Sequence, residues 1–262
     1  MLGIIPAAGS GSRIQPLGCS KELLPVGTRA GEERPKAVSE YLLERMAIAG
    51  VDRVAMVIAA EKSDLVRYYR DSGWSERIAF VLQPRPAGLC DAVFRALPWA
   101  LEDEFVLMGL PDTIWYPINA FALTPRSQIH LVTFPVVAPE QFDAVRWRDD
   151  GNDQVAAVEV KRPGAPDRRI WGAITGPAGE FRRLAALWRR SGCQEAYLGD
   201  LFNHWIRQGG RLTADRSGSE YLDVGTLGGY RAAQARLMAQ PAGESTPPSS
   251  TPPSLRPERI AV

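Results

Sequence analysis

The chain has 262 residues, 45% hydrophobic and 23% charged, and its 31 basic and 30 acidic side chains leave a formal charge of +1. This is the balance of an ordinary globular fold. It lacks the basic excess of a nucleic-acid wrapper, and no apolar run is long enough to span a membrane.

The predicted elements alternate. Leu2–Ala8 reads as a buried strand opening into a glycine-rich loop; it has no charged leader, so it is not a signal peptide. Lys36–Ala49 carries a helical apolar stripe that stops at Gly50. Val54–Ala59 is a second strand, and Ser63 is placed to cap a helix from Asp64 to about Ser72. Ile78–Leu82, a helix over Leu89–Leu97, and the strand Phe105–Leu110 follow. Strands alternating with helices predict an α/β fold with a mostly parallel sheet covered on both faces.

After Asp112 the pattern changes. Ile129–Val137, Ala144–Arg148, Val155–Lys161 and Arg169–Thr175 read as strands, with Asp150-Gly151-Asn152 as a hairpin turn. Pro177–Arg190 and Leu198–Gln208 read as helices, Arg211–Ala214 and Glu220–Asp223 as short strands, and Leu227–Met238 as a closing helix. Residues 1–239 are thus expected to form the working domain. Residues 240–262, rich in Pro, Ser and Thr, are expected to be a disordered tail.

Cys19, Cys90 and Cys193 are far apart and lack zinc or redox spacing, which points to reduced thiols in a cytoplasmic protein. The chain has only two histidines, His130 and His204, both in apolar runs and both read as structural. Histidine-based nucleophilic catalysis and multi-histidine metal sites therefore have almost no material.

The strongest chemical feature is the first loop, Ala7-Ala8-Gly9-Ser10-Gly11-Ser12-Arg13, running on to Ser20-Lys21-Glu22-Leu23-Leu24-Pro25-Val26. Its glycines permit a tight turn with backbone N–H groups facing a phosphate chain, and Arg13 and Lys21 can reach phosphate oxygens. Ile14 stands where a dinucleotide loop needs its third glycine, which also removes an NAD-binding reading. The Gly-Lys-Ser/Thr of a Walker loop is absent as well.

This loop, with its downstream Ser-Lys-x-Leu-Leu-Pro-Val, resembles the signature of the sugar-1-phosphate nucleotidyltransferases, and the resemblance continues in order to about Ala233. It implies a Rossmann-like, GT-A-like three-layer α/β/α fold with a mixed, mostly parallel central sheet. Residues Ala8 to Ser12 would bind the nucleotide, together with Gln83, Gly88 and Asp112. The segment Gln83 to Ala92 resembles the family's base-recognition stretch. Its glutamine amide suits the O4/N3–H edge of uracil or thymine, and Gly88 would let the backbone approach the base.

Asp112 and Asp223, the latter in Tyr221-Leu222-Asp223-Val224-Gly225-Thr226, resemble the family's two magnesium ligands. Val158-Glu159-Val160-Lys161-Arg162-Pro163 resembles its Glu-Glu-Lys-Pro segment, where Lys161 would hold the sugar phosphate. Val160 replaces the acid expected before the lysine. Glu159 could take over its role only through a one-residue shift, which would exchange the faces of the strand. Gly172, in Trp171-Gly172-Ala173-Ile174, resembles the family's sugar-side glycine strand, Tyr197-Leu198-Gly199-Asp200 resembles its acidic segment leading into a late helix, and Asp143 stands near an expected glycine on the sugar side.

The expected reaction joins a nucleoside triphosphate, dTTP or UTP, to a sugar 1-phosphate, most simply glucose 1-phosphate. Arg13, Lys21 and Lys161 would be the catalytic cations, magnesium the cofactor, and a homo-oligomer is left open. Two alternatives stand beside it. One is a nucleotidyltransferase using CTP or an unusual phosphorylated acceptor; the other is a non-catalytic regulatory relative that binds nucleotide or nucleotide-sugar.

Overall fold

The computed structural model describes residues 1–29, 34–149, 151–165 and 167–239. The predicted tail lies outside the described residues, as does Asp150 of the predicted hairpin turn. The strands are β1 (Leu2–Pro6), β2 (Pro25–Thr28), β3 (Pro35–Ala37), β4 (Arg53–Ile58), β5 (Ile78–Leu82), β6 (Phe105–Gly109), β7 (Thr113–Tyr116), β8 (Ile129–Pro135), β9 (Asp143–Trp147), β10 (Val155–Val160), β11 (Arg169–Pro177), β12 (Leu212–Ala214) and β13 (Glu220–Asp223). The helices are α1 (Val38–Ile48), α2 (Ser63–Tyr69), α3 (Gly88–Ala96), α4 (Ala178–Arg190), α5 (Leu198–Arg207) and α6 (Leu227–Met238).

Nine strands form the central sheet. Along one path the order is β10-β9-β11-β6-β1-β4-β5, and β8 pairs with both β11 and β12. Strands β5, β4, β1 and β6 are parallel neighbours. β12 is parallel to β8, whereas β11 is antiparallel to β6, β8 and β9, and β10 is antiparallel to β9. Only β10 and β11 run against the rest, which makes the sheet mixed but mostly parallel.

Strand alternation divides the core between the two faces of the sheet. Leu2, Ile4, Ala55, Val57, Val106 and Met108 pack on the side of α3, α4 and α5. Ile5, Val54, Met56, Ile58 and Leu107 pack on the side of α1 and α2. The result is the expected three-layer α/β/α arrangement. Each large aliphatic side chain withdrawn here contributes about 1.5–3 kcal/mol of burial free energy. No helix among the described residues is long and apolar enough to cross a membrane.

A third cluster, including Leu24, Val26, Ile114, Val224 and Ala233, lies outside these layers. It joins the β2–β3 and β7–β13 ribbons to α6, whose Gln234 Nε2 donates to the Pro25 carbonyl at 2.9 Å. The sequence reading missed β2, β3 and β7. Pro25 and Pro35 cannot donate a ladder hydrogen bond and so weaken the strand signal of β2 and β3, and β7 is four residues long, directly after the Pro111-Asp112 turn.

The cap expected at Ser63 also differs. Helix α2 begins at Ser63 after Lys62 and has no side-chain cap. Its first turn is occupied elsewhere: the Asp64 carboxylate accepts from the Ser20 backbone N–H at 2.6 Å and the Ser20 hydroxyl at 2.7 Å. Both histidines are engaged in structural bonds. His130 lies between Thr213 (2.9 Å) and Asp215 (3.1 Å), and His204 meets Glu195 at 2.9 Å. The three cysteines are free thiols.

Candidate active site

In open α/β sheets, ligands bind beyond the carboxyl ends of the strands, where the order of connection reverses. Here the chain proceeds from β1 outward to β4 and β5, then returns to β6 on the other side of β1. The loops leaving β1 and β6 come together at that point, where Lys21 meets Asp112. The first carries the glycine-rich loop and the second carries Asp112.

The loop is held at both ends. At its start the Ala7 N–H donates to the Val57 carbonyl at 2.7 Å, and Lys62 Nζ donates to the Ala7 carbonyl at 2.7 Å. The same ammonium meets both oxygens of Glu22 at 2.8 Å. Glu22 is fully buried, and burial pushes its carboxyl pKa up despite Lys62 and Lys21. At the far end Asp64 grips Ser20. Lys62, just before α2, and Asp64, in its first turn, therefore clamp the loop at both ends, a role that neither Lys62 nor Glu22 advertises in the sequence. Between the clamps Ala8 is buried, while Gly9, Ser10, Ser12 and Arg13 are exposed. Gly11 has φ +67°, and a Cβ there would stand 2.9 Å from Lys21 Cδ. Both the left-handed backbone and the overlying lysine stem require glycine.

Lys21 Nζ lies 2.5 Å from Asp112 Oδ2. Burial works against the ammonium, but the Asp112 carboxylate outweighs it and raises the Lys21 pKa above the usual lysine value. Asp223 follows from strand pairing. β13 lies antiparallel to β7 with Asp223 opposite Thr113, and the Val224 N–H donates to the Asp112 carbonyl at 2.9 Å. Arg13 reaches Asp223 Oδ2 at 3.2 Å.

Gly225 measures the convergence of these groups. A Cβ there would meet Asp112 Oδ2 at 2.7 Å, Asp223 Oδ1 at 3.0 Å and Arg13 Nη2 at 3.2 Å. Two carboxylates and a guanidinium thus surround one small space that only glycine leaves open. An oxygen-preferring divalent cation needs no more than one or two protein carboxylates when phosphates and waters complete its shell. The pair fits such a cation; no group of three or more candidate ligands exists among the described residues.

Gln83 is buried just beyond β5. Its amide nitrogen donates to Asp91 Oδ2 at 2.7 Å and to the Gly88 carbonyl at 3.2 Å. Gly88 has φ +84°, and its open side is filled by the Ala196 carbonyl, 3.0 Å from where a Cβ would sit. The close approach at Gly88 is therefore to the segment preceding α5. That segment continues into Tyr197, whose hydroxyl lies 3.2 Å from Lys161 Nζ; the ammonium stands 4.3 Å from the ring centroid. Lys161 itself has φ +45°, an uncommon conformation for a side-chain-bearing residue.

The two halves of the site meet through Tyr221, which the sequence reading quoted without giving it a role. It lies two residues before Asp223, and its ring packs on Phe134 and Phe142. Gly172 makes room for it, since a Cβ there would fall 2.5 Å from Tyr221 Cε2. Phe142 in turn accepts from the Lys161 backbone N–H at 2.9 Å.

Glu159 does not share the face of Val160. It is buried in an ion pair with Arg162 at 2.8 Å and lies opposite Ala144, whereas Val160 lies opposite Asp143. Strand register holds it there, so the shift that would bring Glu159 to the face of Val160 has not occurred.

A family profile described as nucleotidyl transferase matches residues 2–133. The chain is 30% identical over 244 residues to a glucose-1-phosphate thymidylyltransferase of Neisseria meningitidis, covering 86% of this chain and 78% of that protein. It is 30% identical over 142 residues to a Bacillus subtilis protein described as a candidate UTP–glucose-1-phosphate uridylyltransferase, covering 46% of this chain and 49% of that one. A crystal structure from Bacillus anthracis, described as a candidate glucose-1-phosphate thymidylyltransferase in complex with sucrose, shares the fold. Its TM-score is 0.75 at 20% identity, over 92% of this chain and 97% of that one. With the profile over half its length and a relative matched over most of it, the chain belongs to the nucleotidyl transferase family, among the sugar-1-phosphate nucleotidyltransferases.

Proposed function

We propose that the chain transfers a nucleotidyl group from dTTP or UTP to a sugar 1-phosphate, with glucose 1-phosphate as acceptor, and that it does so with magnesium. The observation that carries this reading is the convergence of Asp112, Asp223 and Arg13 on Gly225, with Lys21 paired to Asp112 beside the glycine-rich loop. The thymidylyltransferase and uridylyltransferase relatives support the two nucleotides.

An oxygen of the acceptor phosphate attacks the α-phosphorus, and the bond from the α-phosphorus to the bridging oxygen breaks. Pyrophosphate departs with that electron pair. The attacking oxygen is already anionic, so no general base is needed, in keeping with two histidines that are tied into structural bonds. What remains for the protein is orientation and charge.

The backbone of residues 8–12 would receive the triphosphate, and Gln83 would face the base. Arg13 would steady the β- and γ-phosphates and the leaving pyrophosphate. Lys21 would face the α-phosphate, and Lys161 the acceptor phosphate. Lys21 pairs with Asp112 and Arg13 with Asp223; entering phosphates would compete for the same cations. Held by those two carboxylates, magnesium would supply Lewis-acid stabilisation of phosphate charge.

The test is pyrophosphate release with magnesium across dTTP, UTP, CTP, GTP and ATP, each against glucose, galactose, mannose and N-acetylglucosamine 1-phosphates. Release that needs both a pyrimidine triphosphate and glucose 1-phosphate is expected. Silence from folded protein that still binds nucleotide would refute the catalytic reading.

A further inference from the structure

The acceptor side of the site lacks an acid on β10, because Val160 stands immediately before Lys161 and Glu159 faces away in its pair with Arg162. The strand opposite supplies one. Asp143 is the direct cross-strand partner of Val160, and directly opposed residues of an antiparallel pair project from the same face. Gly199 locates both. A Cβ on it would stand 2.6 Å from Val160 Cγ2 and 3.0 Å from Asp143 Oδ2. The Asp143 carboxylate therefore occupies the surface toward which Val160 points, next to Lys161, whose backbone N–H is bonded to the neighbouring Phe142.

Asp143 is largely enclosed by the protein. Burial raises its pKa to about 6. The Trp171 indole and the Gly199 amide favour the ionised form, yet Trp171 Nε1 closes no hydrogen bond of ordinary geometry. The charged groups around it are Lys161 just after β10, which favours the carboxylate, and Asp200 on α5, which opposes it. Cys90 on α3 feels both acids and Glu195, and burial first of all lifts its thiol to about 12, so it stays neutral. An ionised carboxylate offers about four acceptor sites, more than the Trp171 indole and the Gly199 amide fill.

We infer that Asp143 is a specificity-determining residue of the acceptor subsite, its carboxylate receiving a ring hydroxyl of the sugar whose phosphate is held by Lys161. The inference rests on the proposed nucleotidyltransferase reading. Sugar and phosphate are joined directly, so an acid set beside the phosphate lysine meets the ring. The acid stands on β9, directly opposite Val160 on β10.

The experiment measures acceptor KM and kcat by pyrophosphate release with magnesium and dTTP or UTP, using the four sugar 1-phosphates named above. Nucleotide affinity and thermal unfolding are followed in parallel. Asp143→Asn is expected to raise acceptor KM by about tenfold to a hundredfold, as for loss of a charge-assisted hydrogen bond, with nucleotide affinity unchanged. Asp143→Ala combined with Val160→Glu returns a carboxylate to the same face and is expected to recover most of that loss, which a capping role for Asp143 at the start of α5 would not predict.

A pH series adds a second readout. The wild-type acceptor KM rises as Asp143 protonates below about 6, and the Asn variant lacks this component. The acceptor's own phosphate, whose second pKa is also about 6, titrates equally in both proteins, so their difference isolates Asp143. Wild-type turnover with an unchanged acceptor KM in Asp143→Asn overturns the inference alone. Equal pH profiles, or a double variant no better than Asp143→Ala, do the same. A folded wild type silent with all four sugars overturns the parent reading, and this one with it.

Discussion

Replacing Gly225 with alanine is the smallest change that reaches both acidic side chains of the site at once. The added methyl carbon would sit 2.7 Å from Asp112 Oδ2 and 3.0 Å from Asp223 Oδ1, where ordinary contact begins at 3.4 Å. Asp112 must then retreat by about 0.7 Å and Asp223 by about 0.4 Å, or the backbone of residues 223–226 must move instead. Misplacing a reacting group by about 1 Å costs on the order of a hundredfold in rate. Turnover of Gly225→Ala should therefore fall about tenfold to a hundredfold, or about 1.4–2.7 kcal/mol of activation free energy. The assay is initial-rate pyrophosphate release over a magnesium titration, with thermal unfolding as the control. The half-saturating magnesium concentration should rise while the unfolding temperature stays near wild type. Unchanged turnover and magnesium dependence in a folded Gly225→Ala protein would refute the picture of two carboxylates closing on one cation.

Other perturbations separate the parts of the site. Asp112→Asn should lower turnover by orders of magnitude in a protein whose circular dichroism is unaltered; near-normal turnover would remove Asp112 from the metal role. Lys62→Met leaves Glu22 buried without its partner, a loss of about 3–5 kcal/mol at neutral pH, measured by urea unfolding. The loss should shrink in Lys62→Met/Glu22→Gln, where no stranded charge remains, and equal stability of single and double variants would speak against the buried pair. Tyr197→Phe keeps the ring under Lys161 but deletes its hydroxyl partner, and should raise acceptor KM by a few-fold, with Tyr197→Leu costing more. Equal acceptor KM in all three proteins would show that Tyr197 does not place Lys161.

Much of this arrangement can be read from the sequence, because the information is local. Apolar runs of five or six residues announce β1, β4, β5 and β6, and the glycines and basic residues of the first loop stand in one short stretch. The relations that complete the site are long-range. Lys62 meets Glu22 forty residues away, with no spacing rule to reveal it. Asp223 comes beside Asp112 only because β13 pairs with β7, a strand too short to stand out. Glu159 and Asp143 show the same limit. Alternation makes Glu159 and Val160 face opposite ways, but which strand lies opposite, and in what register, is settled by the packing of β9 against both β10 and β11.

The position of Asp223 on a ribbon outside the main sheet also bears on synthesis of the chain. The glycine-rich loop, Lys21 and Asp112 all emerge within the first half, and the parallel strands that carry them can pair with one another before the rest appears. Their companion acid arrives more than a hundred residues later, on a strand whose partner has waited since Thr113. Closing that interval costs chain entropy that local elements never meet, and domains assemble from the amino end as they leave the ribosome. On the proposed reading, a nascent chain that has the glycine-rich loop but not residue 223 would offer phosphates a cradle and no completed cation site. The chemistry would then wait until nearly all of the described fold has been made.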